Sequence, residues 1–291
     1  MDYDQWRAFL AVVQTKNFTR AAELLHVTQS TITTRIKTLE QRLGKTLLQR
    51  NNRRVEITDA GKTIYPYAKR IVDLIQECEL AAQMEASFHD RLVIGSVHSL
   101  WDYVLAPVAL QFQKDNPHIA LRLLTGHSVE IVQLLLDGRA DVGIVYLPPQ
   151  HPDISTLPLY QDTVALVAHP DFPLPDGEIT PERLTKIPLI HLDWGDPFSE
   201  WFAQEAGRDF MPGMQVDHAA LQMNYIQAGA GAGFVLTSVC EKLIEAGALR
   251  RVPYRARVPL PVHHIYLISL KRKEQEESLT AWRYMLLDHY Q

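Results

Sequence analysis

Between Thr28 and Gly44 the chain sets an apolar stripe, Ile32, Ile36, Leu39 and Leu43, against a wholly polar face of Ser30, Thr34, Lys37 and Gln41. Arg35 and Arg42 flank one edge of that face, and Gln29 and Thr33 flank the other. Residues three and four apart share a helix face, so this spacing predicts an amphipathic helix. Amide, hydroxyl and guanidinium groups at its N-terminal end are the groups that hydrogen-bond base edges in a DNA major groove. A face that simply meets water is the competing reading. A second set of polar residues follows predicted strands: Ser96, His98 and Ser99 after one, His127 and Ser128 after the next. Loops at the C-terminal ends of strands are where α/β sheets bind ligands, and hydroxyl and backbone N–H groups at a helix start can hold a carboxylate or similar anion. The same serines serve equally well as helix caps, so chemistry alone leaves both uses open. Trp194, Gly195 and Phe198, after a strand ending at Leu192, are candidates from a second lobe.

Other chemistry finds little support. There is no H-E-x-x-H, no G-x-S-x-G and no phosphate-binding glycine loop, so no catalytic residues, metal or cofactor are expected. Gly229, Gly231 and Gly233 lack the G-x-G-x-x-G spacing and predict a turn from helix to strand. His263 and His264 read as a strand pair, while His98 and His127 can bind an anion or respond to pH, or can simply lie at the surface. Cys78 and Cys240 have no ligand spacing, and Cys240 has no nearby resolving thiol. A reducing, cytoplasmic setting is expected, with no secretory signal near Met1 and no run approaching the roughly 18 apolar residues that span a bilayer.

The elements that must carry these residues are legible in the periodicity. Trp6, Phe9, Leu10 and Val13 predict an opening helix that stops near Lys16 and Asn17. A second helix is expected over 20–25 with Thr19 as its cap, and a third from Gln29, capped by Thr28 and closed by Gly44. The basic turn Gln49, Arg50, Asn51, Asn52, Arg53, Arg54 lies between short apolar segments at 46–48 and 55–57. That predicts a two-stranded hairpin, a wing whose arginines reach phosphates or the adjacent minor groove. A long helix is expected over 58–86, with Pro66 bending its first turns. Ile64, Ala68, Ile71, Ile75, Cys78 and Ala82 follow a 4-3-4-3 spacing, widened by Leu74 and Ala81. Such a seam suits a partner helix and hence dimerisation, against the alternative that it packs on its own domain.

Beyond Asp90, strands at 92–97, 119–124 and 142–146 alternate with helices at 103–114 and 129–136, which predicts a parallel α/β sheet. A second set follows, with strands at 164–168, 189–192 and 233–236 and helices at 199–206, 218–228 and 239–245. A strand at 264–270 and a helix at 277–290 close the chain. Two α/β lobes joined by extended crossings near 160–163 and 262–266 would leave a cleft between them.

At 291 residues, 46% apolar and 22% charged, the chain has an ordinary globular composition and the length of about two domains. Its net charge of -5 hides an asymmetry: residues 1–62 carry eleven Lys and Arg against six acids, a balance of +5, which leaves -10 for the remainder. A basic module on an acidic body suggests that only the first sixty or so residues meet a polyanion.

The N-terminal 62 residues closely resemble the LysR-type transcriptional regulators, in "NFTRAAELLHVTQSTITTRIKTLEQRLGKTLLQR" followed by "VEITDAGK". The body is similar to that family's periplasmic-binding-protein-like effector domain, through "RLVIGS", "LDGRADVGIVY" and "IQAGAGAGFVL". The resemblance implies a winged helix-turn-helix domain over 1–58, a linker and dimerisation helix over 59–88, lobe I over 89–161 and 266–291, and lobe II over 162–265. It implies that Gln29, Ser30, Thr31, Thr33, Thr34 and Arg35 read operator DNA, with Arg50 and Arg53 at its backbone. Gln29 can pair bidentately with adenine, and Arg35 with guanine or phosphate. This chain departs from many members in having Ser30 where they have Pro, and Thr34 where they have a longer basic or amide residue. Ser99 and Ser128 match effector-contacting positions. The implied partners are double-stranded promoter DNA, a small-molecule effector that is expected to be an anionic metabolite, a second copy of the chain in a dimer or tetramer, and RNA polymerase, with no membrane. An enzyme, which lacks its motifs here, and a stand-alone ligand-binding protein, which would have no use for the basic module, are the competing classes.

Overall fold

The computed structural model describes residues 1–51, 54–84 and 88–290. The chain divides into two compact units, Met1–Ser87 and Phe88–Gln291. In the first, α1 (Tyr3–Thr15) starts at Asp2, whose carboxylate accepts from the Gln5 N–H at 2.9 Å while the Gln5 side chain accepts from the Asp2 N–H. This reciprocal cap satisfies two backbone donors that a helix start leaves open. The helix ends at Lys16, which takes the left-handed conformation at φ 52°. Next, α2 (Phe18–Leu24) begins two residues earlier than the sequence suggests. Its cap is Asn17, not Thr19: the Asn17 Oδ1 accepts from the N–H groups of Thr19 and Arg20 at 2.8 and 3.1 Å. That start brings Phe18 into the core. The third helix, α3 (Gln29–Leu43), has the expected bounds, with Thr28 Oγ1 accepting from the Thr31 N–H and Gly44 at φ 65° as its stop.

The wing consists of β1 (Leu48–Asn51) and β2 (Arg54–Ile57), antiparallel from Leu48 opposite Ile57 to Asn51 opposite Arg54. The first strand therefore lies later than 46–48, and the pairing extends to Asn51 and Arg54, which the sequence spacing assigns to the turn. Thr46 and Leu47 serve as a lead-in: Glu40 on α3 accepts from the N–H groups of Leu47 and Leu48 at 2.7 and 3.1 Å, and the Thr58 hydroxyl donates to the Thr46 carbonyl at 2.7 Å. From there α4 (Asp59–Met84) runs back over α1. At Gly61 the strand and helix approach so closely that a Cβ would lie 2.3 Å from the Leu47 carbonyl oxygen.

The second unit opens with β3 (Asp90–Ser96), followed by α5 (His98–Leu100), a π-helical turn over Trp101–Leu105, and α6 (Ala106–Asp115). This continuous helical run begins five residues before the predicted 103. Pro107 has no N–H for the preceding turn, which accounts for the widened turn just ahead of it. Then come β4 (Ile119–Thr125), α7 (Ser128–Leu136), β5 (Val142–Val145) and the long β6 (Ile154–Ala168). The second lobe adds α8 (Pro181–Leu184), β7 (Ile190–Leu192), α9 (Phe198–Ala206), β8 (Met214–Val216), α10 (Ala219–Gln227), β9 (Ala232–Leu236), α11 (Thr237–Glu245) and β10 (Arg250–Arg251). The chain returns along β11 (Val262–Leu270) and closes with α12 (Glu277–Tyr290). Of these, α8, β8, β10 and the first six residues of β6 have no counterpart in the periodicity, the rest of β6 being the expected crossing near 160–163 and the strand after it.

The sheet is mixed, which corrects the expectation of a parallel one. Among the described residues its order is β10-β6-β11-β5-β3-β4, with β9 also on β6. β3 is parallel to β4 and β5, but β11 is antiparallel to both β5 and β6, and β6 to β9 and β10. The reason is the double crossing. The chain leaves lobe I along β6 and returns along β11, so these neighbours run in opposite directions, paired from Ile154 opposite Leu270 to Thr163 opposite Val262. Their register slips at Ile265 and Tyr266, beside Pro158, which has no N–H to give the ladder.

Separate cores hold the parts. Leu92, Ile94, Phe112 and Trp282 fill one face of the lobe I sheet, and Ile131, Leu135 and Ile268 the other. Phe198, Trp201 and Phe234 centre the core of lobe II. Asp141, buried between β3 and the chain after β11, accepts from the Val93 N–H at 2.8 Å and from the Lys273 ammonium.

Candidate functional site

On the first unit, burial divides α3 cleanly. Ile32, Ile36 and Leu39 are in the core, while Gln29, Ser30, Thr34, Lys37 and Thr38 are exposed and Thr31, Thr33 and Arg35 half-buried. The Thr28 hydroxyl lies 2.8 Å from the hydroxyls of both Ser30 and Thr31, so the start of the helix is fixed by its own short side chains. Arg35 differs from the other polar residues of α3. Its guanidinium pairs with Asp4 of α1, a contact that sequence spacing did not reveal because the partner lies 31 residues away. Lys37, two residues nearer the helix end, is exposed on the same helix. Arg50 belongs to β1 and is opposite Val55; Arg53 lies outside the described residues.

The 4-3-4-3 seam of α4 splits in two. Ala68 is fully buried in the core of its own unit, and Ile64 and Ile71 pack against that core alongside the buried Val72. This corrects their assignment to a partner helix: α1 crosses α4 here and takes this face. Further on, Leu74, Cys78 and Ala82 are exposed and Ile75 is half-buried.

On the second unit a cavity of about 290 Å³ opens between the lobes. Lobe I contributes Val97, His98 and Ser99 after β3, Gly126, His127, Ser128 and Val129 after β4, and Tyr146 and Leu147 after β5. Lobe II contributes Leu192, Asp193, Trp194, Gly195 and Asp196 after β7, and Asp217, His218 and Ala219 after β8. Each group follows the end of a strand and most open a helix, so helix starts border the cavity from both sides. On the lobe II side the N–H groups of Phe198 and Ser199 are already bonded to the Gly195 carbonyl and that of Ala220 to His218.

The side chains are positioned individually. Ser99 is buried with its hydroxyl 3.2 Å from that of Tyr146. Burial holds the Tyr146 phenol far above the ordinary tyrosine range, so it stays a neutral hydrogen-bonding group. The Glu130 carboxylate accepts from the His127 N–H at 2.8 Å and fixes the loop before α7. His218 caps α10 by accepting from the Ala220 N–H at Nδ1, 3.2 Å away, and its ring lies 5.0 Å from that of His98 across the cavity. The Trp194 indole N–H donates to the Phe234 carbonyl at 2.9 Å. Asp193 accepts from the Gly195 N–H and the Ser199 hydroxyl at 2.9 and 2.6 Å.

Of the residues proposed from sequence, His98, Ser99, Ser128, Trp194 and Gly195 line the cavity, and two do not. Ser96 is fully buried and donates its hydroxyl to the Ile144 carbonyl at 2.9 Å, stitching β3 to β5. Phe198 is also fully buried, packed among His191, Trp201, Phe202 and Phe234 in the lobe II core. Strand alternation explains Ser96, since neighbouring residues of β3 point to opposite faces. Reading missed Tyr146 and His218. The rule that places sites at strand ends could have found Tyr146, the residue just after β5.

Beneath the cavity, Asp162 on β6 accepts from the Ser238 hydroxyl at 2.5 Å and the Thr163 N–H at 2.9 Å, and burial raises its carboxyl pKa. His263, on the returning strand, is buried 5.9 Å from the Tyr146 ring, and burial lowers its pKa. Gly229, at φ 72°, ends the turn after α10, and a Cβ on Gly233 would meet the Ile190 carbonyl at 2.6 Å, as the turn reading expects. Burial pushes the Cys240 thiol up to about 11, which keeps it protonated at neutral pH. Among the described residues, no group of three or more His, Cys, Asp or Glu is arranged to hold a metal ion, and no helix is long and apolar enough to cross a membrane.

Two family models match. Residues 3–62 match the bacterial regulatory helix-turn-helix protein, lysR family, and residues 85–291 match the LysR substrate binding domain. Curated relatives include the HTH-type transcriptional regulator CitR of Bacillus subtilis, 28% identical over 95% of this chain and 96% of its own. The regulator HdfR of Yersinia enterocolitica is 27% identical over 95% of this chain and 93% of its own. Among solved structures, the LysR family regulator CbnR superposes with a TM-score of 0.75 at 23% identity, covering all of both chains. Full-length CbnR complexed with its target DNA gives 0.72 at 24% identity, over 98% of this chain and 99% of that one.

Proposed function

This chain belongs to the LysR family of bacterial transcriptional regulators, with a DNA-binding domain and an effector-binding domain, and from that premise we propose how its parts work. Gln29, Ser30, Thr31, Thr33 and Thr34 read base edges in the major groove of an operator, and Lys37, Arg50 and Arg53 hold phosphates. Arg35 keeps α3 at its angle to α1 through Asp4 and contributes to reading only if that pair opens. Leu74, Ile75, Cys78 and Ala82 meet the same residues of a second copy. Two modules are thereby paired to address two half-sites.

The regulatory half of the proposal rests on one observation: the cavity is walled by both lobes of the second unit. A small molecule there touches both walls at once, so its affinity depends on the closure of the lobes about β6 and β11. Whichever closure it favours becomes more populated, and DNA affinity changes to the extent that closure and DNA binding are linked. The starts of the helical runs at His98 and Ser128 supply N–H groups for a carboxylate on the effector, with Ser99 and Ser128 as hydroxyl partners.

The test uses full-length protein and a duplex that it selects from a random pool. Small carboxylates and amino acids are screened by thermal shift, and each hit is then added to a DNA titration. A hit is expected to change the DNA dissociation constant by about 5- to 150-fold, and Ser99→Ala is expected to abolish both the thermal shift and that change. A ligand that binds through Ser99 yet leaves DNA affinity untouched overturns the regulatory role.

A further inference from the structure

The walls of the cavity are chemically unlike. Lobe I brings hydroxyls and helix starts, including Ser128, which is nine-tenths buried, lines the cavity and has no hydrogen-bond partner for its hydroxyl among the described residues. The Ser128 hydroxyl opens onto the cavity and can donate to or accept from a ligand there, so this wall suits a polar group. Lobe II brings three carboxylates, Asp193, Asp196 and Asp217. Asp193 is engaged by the Gly195 N–H and the Ser199 hydroxyl, but Asp196 and Asp217 have no partner among the described residues. No Lys or Arg lines either wall.

This charge arrangement discriminates between ligand classes. An effector that carries only negative charge gains the helix starts of lobe I, yet closes against the carboxylates of lobe II, where the basic groups in the lining are the imidazoles of His98, His127 and His218 and not a Lys or Arg. An effector with an ammonium group as well satisfies both walls, since like charges across a closing cleft repel and opposite ones attract. The volume of about 290 Å³ lies at the small end of ligand sites, which run from about 300 to 1,000 Å³. Between the polar walls Leu147, Leu192 and the Trp194 ring leave room for an uncharged side chain.

We infer that the cleft takes a zwitterionic amino acid with an uncharged side chain, its carboxylate at Ser99 and Ser128 and its ammonium toward Asp217 and Asp196. This rests on the reading of the cleft as the effector site and replaces the expectation of an anionic metabolite with a net-neutral one that keeps its carboxylate.

The experiment measures binding of the proteinogenic amino acids to the full chain by thermal shift and calorimetry, at up to about 1,000 times a micromolar dissociation constant. Each hit is compared with the acid lacking its amine and the amine lacking its carboxylate; succinate and benzoate serve as amine-free controls. At least one uncharged amino acid is expected to bind, with removal of its amine weakening binding about tenfold or more, a loss of about 1.4 kcal/mol. D217N, at an exposed position, is expected to weaken the amino acid about tenfold and leave the deaminated acid unchanged, whereas S128A weakens both. The assignment is overturned if the deaminated acid binds as tightly as the amino acid, if D217N and D196N both leave their ratio unchanged, or if no amino acid binds. Succinate or benzoate binding that S128A weakens, with no amino acid bound, leaves the cleft reading standing and removes only the zwitterion. Binding insensitive to both S99A and S128A removes the cleft reading as well.

Discussion

The N-terminal end of α3 and the cleft use the same device in opposite shapes. At α3 one helix start is convex and exposed, crowded with short hydroxyls and followed by Lys37 and the basic wing. In the cleft several helix starts converge on a concavity that no Lys or Arg lines. A polyanion is met over a broad surface, where fixed cations gather affinity and short polar groups sort sequences. A small ligand is enclosed, so orientation of N–H groups, hydroxyls and carboxylates does the sorting and a mobile cation would add little selectivity. The difference teaches that charge count marks the first kind of site and misses the second.

Breaking one region while sparing the other tests this separation. The largest effect is expected from Asp141→Ala, which leaves Lys273 without its buried partner and the Val93 N–H without its acceptor. A stability loss of about 3–5 kcal/mol is expected for the second unit, seen by calorimetry as an earlier transition, with no change in the transition of the first. Gln29→Ala is expected to cost about 1–3 kcal/mol of discrimination between the selected duplex and random DNA, read by fluorescence anisotropy on both, with effector binding intact. Asn17→Ala removes a cap that serves two N–H groups and is expected to lower the stability of the first unit by about 1 kcal/mol. Lys37→Ala is expected to weaken binding to all duplexes alike and to reduce the slope of log affinity against log salt by about 0.9; a loss confined to the selected duplex would make Lys37 a reader instead.

The smallest expected effect concerns pH. Burial holds His191 and His263 below the usual histidine pKa in the folded second unit, whereas in the unfolded chain they titrate near 6.5. The unfolded state then binds more protons below that value, so their contribution is complete above about pH 6.5 and is lost as pH falls through it toward the folded values. Only His26 lies in the first unit, and it is exposed. Melting between pH 7.5 and 5.5 is expected to destabilise the second unit more than the first, and His191→Phe is expected to shrink the difference; an unchanged difference would remove His191 from the account.

The two regions also differ in what could be read from residues alone. The bounds of α3, its Thr28 cap and its Gly44 stop follow from local spacing, because the helix and its signals lie within one short stretch. Arg35 escaped, since the Asp4 that holds it comes from another helix. The cleft is assembled from loops more than a hundred residues apart. Ser99, Ser128 and Trp194 were legible as loop residues after strands, but Ser96 and Phe198 sit in the same stretches and face the interior, which spacing from the strand end does not decide. The mixed sheet was missed for a related reason: β6 and β11 carry Pro158 and polar residues along the crossing, so their pairing has little apolar alternation to announce it. In α4 one continuous seam serves two ends, and only the packing of α1 shows where the first gives way.

The most direct test of the account is reciprocity between the two sites in the full-length protein. The dissociation constant of the selected duplex is measured with and without the tightest-binding amino acid, and that of the amino acid with and without the duplex. Coupling through lobe closure predicts the same fold-change in both directions, and its disappearance in S128A. Equal DNA affinity with the cleft empty and saturated would contradict it.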